Sequence, residues 1–309
     1  MNTYLDLVRQ GKTGWRRFVL AVILMLFLWQ ILGALPSVFL LIWVLADGNP
    51  QTDVSSTGQF MGVEPILSFA VAMLASVLFL VGIFLAIRFI HQRPFRTLIT
   101  PASSMAWKRF FQGFVVWIVL TGLMSLVEAI LYPGRYVLTL DLHRFIPFAF
   151  LALILIPIQT SAEELFFRAY ILQGMGLRLR NIWILSAISG FLFMVPHLLN
   201  PEARTNYILM GFYYFFIGAV MAYITLRDGT LELALGLHAA NNLFSALFAN
   251  YTVTVMPTPS LFTVNALDAA YSATAAVIAL IVFIMIFLGP LKRTQSDDNL
   301  GTRDKEIAK

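Results

Sequence analysis

An all-α fold, a polytopic transmembrane helical bundle of about eight spans with both termini cytoplasmic, follows from three observations. Hydrophobic residues make up 59% of the 309-residue chain and charged residues only 12%, where a soluble domain carries roughly a quarter charged residues. Apolar runs close to the ~20 residues needed to cross a bilayer recur along the chain. The 21 lysines and arginines alternate with those runs, and only Arg135, Arg144 and Arg204 fall on the side opposite all the others, which the positive-inside rule reads as the outer side. The net charge of +5 is therefore a matter of topology, and no nucleic-acid partner is implied. With no cysteine in the chain, disulfides, thiolate nucleophiles and Cys-ligated metal sites are excluded, and any catalysis must use hydroxyl, carboxylate, imidazole or activated water.

Taken in order, Arg16 and Arg17 precede an apolar run from Phe18 to Ala46. It is too long for the core of a signal peptide and no small-residue cleavage site closes it, so it reads as a retained first span, kinked near Pro36. Further spans are Pro65 to Ile87, Phe111 to Leu131, Phe145 into the Glu163 region, Ile182 to Leu199, Asn206 to Leu226, Leu231 to Asn250 and Ala269 to Leu288. The loops Asp47 to Glu64 and Tyr251 to Asn265 lack lysine and arginine and suit the outer face. The tail beyond Pro290 is polar and reads as disordered. No repeat, heptad or linker divides the chain, so one helical domain is expected.

The polar residues inside these spans carry the functional reading, because a charge at the bilayer centre costs roughly 2.5–3.5 kcal/mol on insertion scales. In Ser161 to Arg168, Glu164 and Arg168 form an i,i+4 pair, whereas Glu163 points about 100° away and has no partner on its own helix. His197 lies in a second apolar segment, and His238 and Asn242 lie one turn apart on a third. At 1.5 Å rise per residue these groups share a depth only if the fourth helix continues past Arg168 towards Arg178, placing them roughly 16–22 Å from the basic side. Glu163 and His197 together suit activation of a water, and His238 with Asn242 suits two donors on one oxyanion. Glu164 and Arg168 read as a supporting buried ion pair and Phe193 as packing. His91 and His143 read as solvated or topological, and Asn241 as a bond to a neighbouring helix.

Three motifs stand in order: Glu163-Glu164 with Arg168 four residues after the second, Phe193 four residues before His197, and His238 four residues before Asn242. Over about Phe145 to Asn250 the chain thereby resembles the CPBP intramembrane proteases, which include the CAAX prenyl endopeptidases and bacterial Abi and bacteriocin-immunity proteins. The resemblance implies the same roles for Glu163, His197, His238 and Asn242. It divides the chain into a family-variable N-terminal set of helices (1–144), a CPBP-like catalytic core (145–250), and a last helix with a polar cytoplasmic tail (251–309). Members are called metalloproteases, and Glu163, His197 and His238 are two imidazoles and a carboxylate of the kind that binds zinc or another divalent ion with an open water position. Metal and metal-free readings both stand at this point. HExxH and GxGD are absent, and Ala187-Ile188-Ser189-Gly190 lacks the first glycine of GxSG.

The expected reaction is hydrolysis of a peptide bond in a membrane protein or lipidated peptide, prenylated by family analogy and reached from the cytoplasm. The expected location is multi-pass in the bilayer, the plasma (inner) membrane if the source is bacterial. The rival is a non-enzymatic transporter or an immunity or interaction protein using the same buried polar cluster. A proton relay has no need of an imidazole and an amide one turn apart, whereas peptide hydrolysis does.

Overall fold

In a bilayer every backbone N–H and C=O must be satisfied within the protein, so apolar runs become helices. The computed structural model describes residues 3–55 and 58–289, and each expected span is helical there. The first is α2 (Trp15–Leu26), which continues as a π-helix to Leu32 and turns at Gly33–Ala34 into α3 (Leu35–Ala46), just before the kink expected at Pro36. Then follow α4 (Pro65–Leu85) with a π-helical extension to His91, α5 (Trp107–Leu131) and α6 (Leu142–Glu164). After them come α8 (Ile182–His197), α9 (Tyr207–Asp228), α10 (Glu232–Leu247) and α11 (Ala269–Leu288). Among the described residues six helices are long and apolar enough to cross a membrane by themselves; Ile182–His197 is apolar but shorter. Helix α10 is as short, at 16 residues, and is buried along most of its length, so it is enclosed by the other helices. The tail after Gly289 lies outside the described residues.

The fourth helix does not stop at Arg168. It runs from Leu142 through Pro147 and Pro157, passes into a π-helix at Leu165–Ile171 and ends with α7 (Leu172–Met175). It stops three residues short of the expected Arg178. The π-helical turn begins directly after Glu163-Glu164, a placement typical of π-bulges, which concentrate at functional sites.

Small residues let helices cross closely where no hydrophobic force drives them together. A Cβ on Gly190 of α8 would stand 2.6 Å from Phe215 O of α9, and one on Gly236 of α10 would collide with the backbone of Phe110 in α5. These two crossings fix α8 and α10, the helices that carry His197 and His238.

The short N-terminal segment is part of the fold: α1 (Thr3–Asp6) and the 3₁₀ turn Leu7–Gln10 tuck beneath the bundle, with Tyr4 and Leu5 fully buried. The Tyr4 hydroxyl donates to Leu98 O at 2.6 Å. His91, expected in a solvated loop, is 1% exposed. It donates from Nδ1 to Lys12 O at 2.8 Å and meets the Tyr170 hydroxyl at 3.0 Å through Nε2. Tertiary packing overrides the local polarity because the Tyr4 hydroxyl and both His91 nitrogens find partners. Tyr4→Phe removes the donor and leaves the Leu98 carbonyl buried without it, which is expected to cost about 1–3 kcal/mol; an unchanged melting temperature in detergent would contradict this.

At the opposite end, β3 (Tyr136–Leu138) pairs antiparallel with β5 (Phe262–Val264), which pairs in parallel with β4 (Ala249–Tyr251). A smaller antiparallel pair joins β1 (Asp53–Val54) and β2 (Phe60–Met61).

Candidate active site

The four residues singled out from the motifs converge. Glu163 comes from the last turn of α6, His197 from the end of α8, and His238 and Asn242 from successive turns of α10. Glu163 Oε2 lies 4.0 Å from His197 Nε2 and 3.8 Å from His238 Nε2, is buried, and has no hydrogen-bond partner. Each imidazole is held through its other nitrogen. His197 Nδ1 donates to Phe193 O at 2.7 Å, and His238 Nδ1 lies 2.7 Å from Glu164 Oε1. A carbonyl and a carboxylate can only accept, so each ring carries a proton on Nδ1 and turns Nε2 towards Glu163. When both rings are neutral, three acceptors face one another with no donor between them.

The adjacent glutamates play different parts, as their spacing indicated. Glu164 Oε1 pairs with Arg168 Nη1 at 2.8 Å, both side chains being fully buried. The same carboxylate anchors His238, a link that no spacing within one helix could reveal. Phe193 does more than fill space: the Arg168 guanidinium lies 4.0 Å from its ring centroid, and its ring packs against His197 at 4.1 Å, tilted by 34°.

Gln159 was not singled out in the sequence, yet it stands at the centre. Its Nε2 donates to Glu163 Oε1, and its Oε1 accepts from Asn242 Nδ2 at 3.0 Å. Asn242 Oδ1 in turn accepts from Asn241 Nδ2 at 3.1 Å, and Asn241 Oδ1 from Trp117 Nε1 at 3.2 Å. An amide chain therefore runs from α5 through α10 to the Glu163 carboxylate. The available signal was a glutamine four residues before Glu163 on an apolar helix, the spacing of facing side chains. Trp117 also shows that the helices before residue 145 help to order the site.

Glu163, His197, His238, Asn242 and Gln159 all line one cavity of about 600 Å³. Among the described residues its walls include loop positions Glu202, Tyr251 and Thr254, but nothing from 77–116, 168–192 or 222–236. None of the basic loops contributes a residue to its wall.

A shared metal ion makes a stricter demand. Zinc with donors at about 2.0–2.2 Å in a tetrahedron sets them about 3.4 Å apart. The separations of 4.0 and 3.8 Å are wider, and among the described residues no group of three or more His, Cys, Asp or Glu is placed to hold a metal ion. As arranged, the side chains suit a water, which can donate to two acceptors at once.

Comparison with known proteins points to the family that the motifs resemble. Residues 143–244, which contain all these motif residues, match the family model described as Type II CAAX prenyl endopeptidase Rce1-like. The chain is 35% identical over 299 residues to "Uncharacterized protein YyaK" of Bacillus subtilis (strain 168), an alignment spanning 96% of this chain and 98% of that protein. No solved structure matches.

Proposed function

The chain belongs to the Rce1-like family of type II CAAX prenyl endopeptidases, and on that premise we propose that it is an intramembrane endopeptidase that cleaves a membrane-associated peptide with an activated water. The observation that carries this reading is the convergence of Glu163 Oε2, His197 Nε2 and His238 Nε2 on one point in a cavity. A water there donates one proton towards Glu163 and the other towards His197, which leaves its oxygen lone pair directed at a substrate carbonyl. As that oxygen bonds to the carbonyl carbon, Glu163 takes the proton, and it later returns it to the leaving amine when the C–N bond breaks. Water and peptide become a carboxylic acid and an amine, which leave as carboxylate and ammonium once the second water proton has passed from the acid to the amine, with no net change in the enzyme.

Asn242 uses one N–H on Gln159 and keeps a second for the developing oxyanion. His238 can donate beside it in the form of the site whose Nε2 has taken a proton from solvent before the reaction and keeps it throughout, with Glu164 balancing the imidazolium through Nδ1. Gln159 holds the Glu163 carboxylate and the Asn242 amide in register.

The family name carries a prenylated CAAX substrate, and the comparison that decides whether this chain shares it is direct. Purified protein in vesicles is given the same peptide with and without a prenyl chain, and cleavage is read by mass spectrometry. Cleavage that depends on the prenyl chain assigns the family substrate, and cleavage of both forms assigns a broader membrane-peptide specificity. No cleavage of any membrane-associated peptide would overturn the protease reading in favour of a transporter or interaction protein. A chelator arm belongs in the same assay: turnover lost on chelation and restored by zinc would replace the free water by a metal-bound one. For Asn242→Ala the expectation is a fall in kcat of about 10²-fold with KM little changed, the signature of a lost oxyanion donor. A raised KM at constant kcat would reassign Asn242 to substrate positioning.

A further inference from the structure

Asparagine and glutamine amides offer a donor and an acceptor of nearly the same shape, so a run of them can be joined in either of two directions. Three such amides, those of Asn241, Asn242 and Gln159, stand head to tail between the Trp117 indole and the Glu163 carboxylate. The two ends decide the direction. An indole N–H can only donate and an ionised carboxylate can only accept. Asn241 therefore turns Oδ1 to Trp117 at 3.2 Å, Asn242 turns Oδ1 to Asn241 at 3.1 Å, and Gln159 turns Oε1 to Asn242 at 3.0 Å. In this direction the free hydrogen of the Asn242 amide is available as a donor. With the chain reversed, Asn242 would offer a carbonyl oxygen in its place, which repels an oxyanion.

During the reaction the two ends are not equally firm. Once Glu163 has taken the proton of the water it is a carboxylic acid, and an acid can donate to Gln159 as well as accept from it. That is the interval in which the tetrahedral oxyanion exists and needs the Asn242 donor. The Trp117 end cannot reverse, because an indole nitrogen has no lone pair to offer. Nor is the ring free to move: it is 2% exposed and packs edge-on against Phe283 of α11, with centroids 5.9 Å apart. One turn earlier on α5, a Cβ on Gly113 would stand 2.7 Å from Leu233 O of α10. Residues four apart share a helix face, so this close crossing sets the indole against α10.

We propose that Trp117 is a positioning residue of this site: as the donor-only end of the amide chain, it keeps the Asn242 N–H aimed at the oxyanion while Glu163 is protonated. Asn241 relays that direction from α5 to Asn242. The catalytic part rests on the protease reading; the direction of the chain does not. Trp117 lies outside residues 143–244, so a helix beyond the family match controls the orientation of a motif residue.

The test pairs Trp117→Phe, which keeps a ring in the packing space and deletes the donor, with Asn241→Leu, which cuts the chain one link later and carries the same kinetic test where Trp117→Phe folds poorly. Cleavage of a membrane-associated peptide in vesicles is measured for both variants and for the double variant. Each single variant is expected to lower kcat about ten-fold with KM unchanged, less than Asn242→Ala because the amide remains and is turned away for only part of the time. The double variant should be no slower than the slower single one, since both break one chain. Multiplied effects, a raised KM at constant kcat, or a kcat within two-fold of the parent would each overturn the proposal. A second measurement needs no activity. Among the six tryptophans, the indole proton resonance of Trp117 in isotope-labelled protein is assigned by its loss in Trp117→Phe. It is expected to move upfield in Asn241→Leu, and an unmoved resonance would overturn the hydrogen bond that sets the direction. A resonance that moves in a protein that cleaves no membrane-associated peptide would uphold the direction and remove the catalytic role together with the protease reading. A parent that cleaves while Trp117→Phe matches it would remove the catalytic role alone, so the two failures are distinguishable.

Discussion

Glu163→Gln is expected to reduce turnover by ~10³–10⁴-fold, the upper part of the range for a general base, because the same carboxylate also returns the proton to the leaving group. The protein should remain folded. Gln is isosteric, Glu163 Oε1 already accepts from the Gln159 amide, and Oε2 has no partner to lose. The measurement is single-turnover cleavage in vesicles beside a thermal melt of the same preparation. Cleavage within ten-fold of the parent would remove Glu163 from the role of base. Loss of the melt would instead mean that its place in the amide chain had been underestimated.

The neighbouring carboxylate should respond in the opposite way. Glu164→Gln takes the counter-charge from a guanidinium that is 0% exposed and 2.8 Å away. Breaking a buried pair by removing one partner typically costs about 3–5 kcal/mol, since the remaining charge stays uncompensated. The expected observation is a large fall in melting temperature and in recovery of monodisperse protein. Replacing both charges, as Glu164→Gln with Arg168→Met, should restore much of that stability, because a buried pair is close to neutral against an apolar substitute. Activity should not return with it: His238 Nδ1 loses the carboxylate that fixes its ring. If Glu164→Gln were as stable as the parent, the Glu164–Arg168 contact would not be a structural ion pair.

Much of this site was legible before any coordinates. Glu164 and Arg168 are four residues apart, so helical geometry alone pairs them and separates Glu163. Depth along each helix follows from counting, which is why Glu163, His197 and His238 could be expected at one level and why the fourth helix had to run beyond Arg168. Gln159 escaped because a lone glutamine in an apolar helix is informative only once Asn242 is known to face it from α10. His91 was misread for a related reason: beside Arg88 and Arg93 its local sequence is that of a basic loop, and only Tyr170 and the Lys12 carbonyl, both more than seventy residues away, make its burial affordable.

The apolar helices and their positions, the alternation of basic and non-basic loops and the pairing of Glu164, rather than Glu163, with Arg168 were determined by the sequence alone. Each rests on composition, on charge count or on spacing within one helix, and such quantities are local. The tertiary structure alone decided which nitrogen of each histidine faces Glu163, that Trp117 reaches the site through Asn241, and that Gln159 meets Asn242. Such contacts join residues far apart in the chain, 83 positions for Gln159 and Asn242 and 74 for Glu164 and His238, and no local pattern records their meeting.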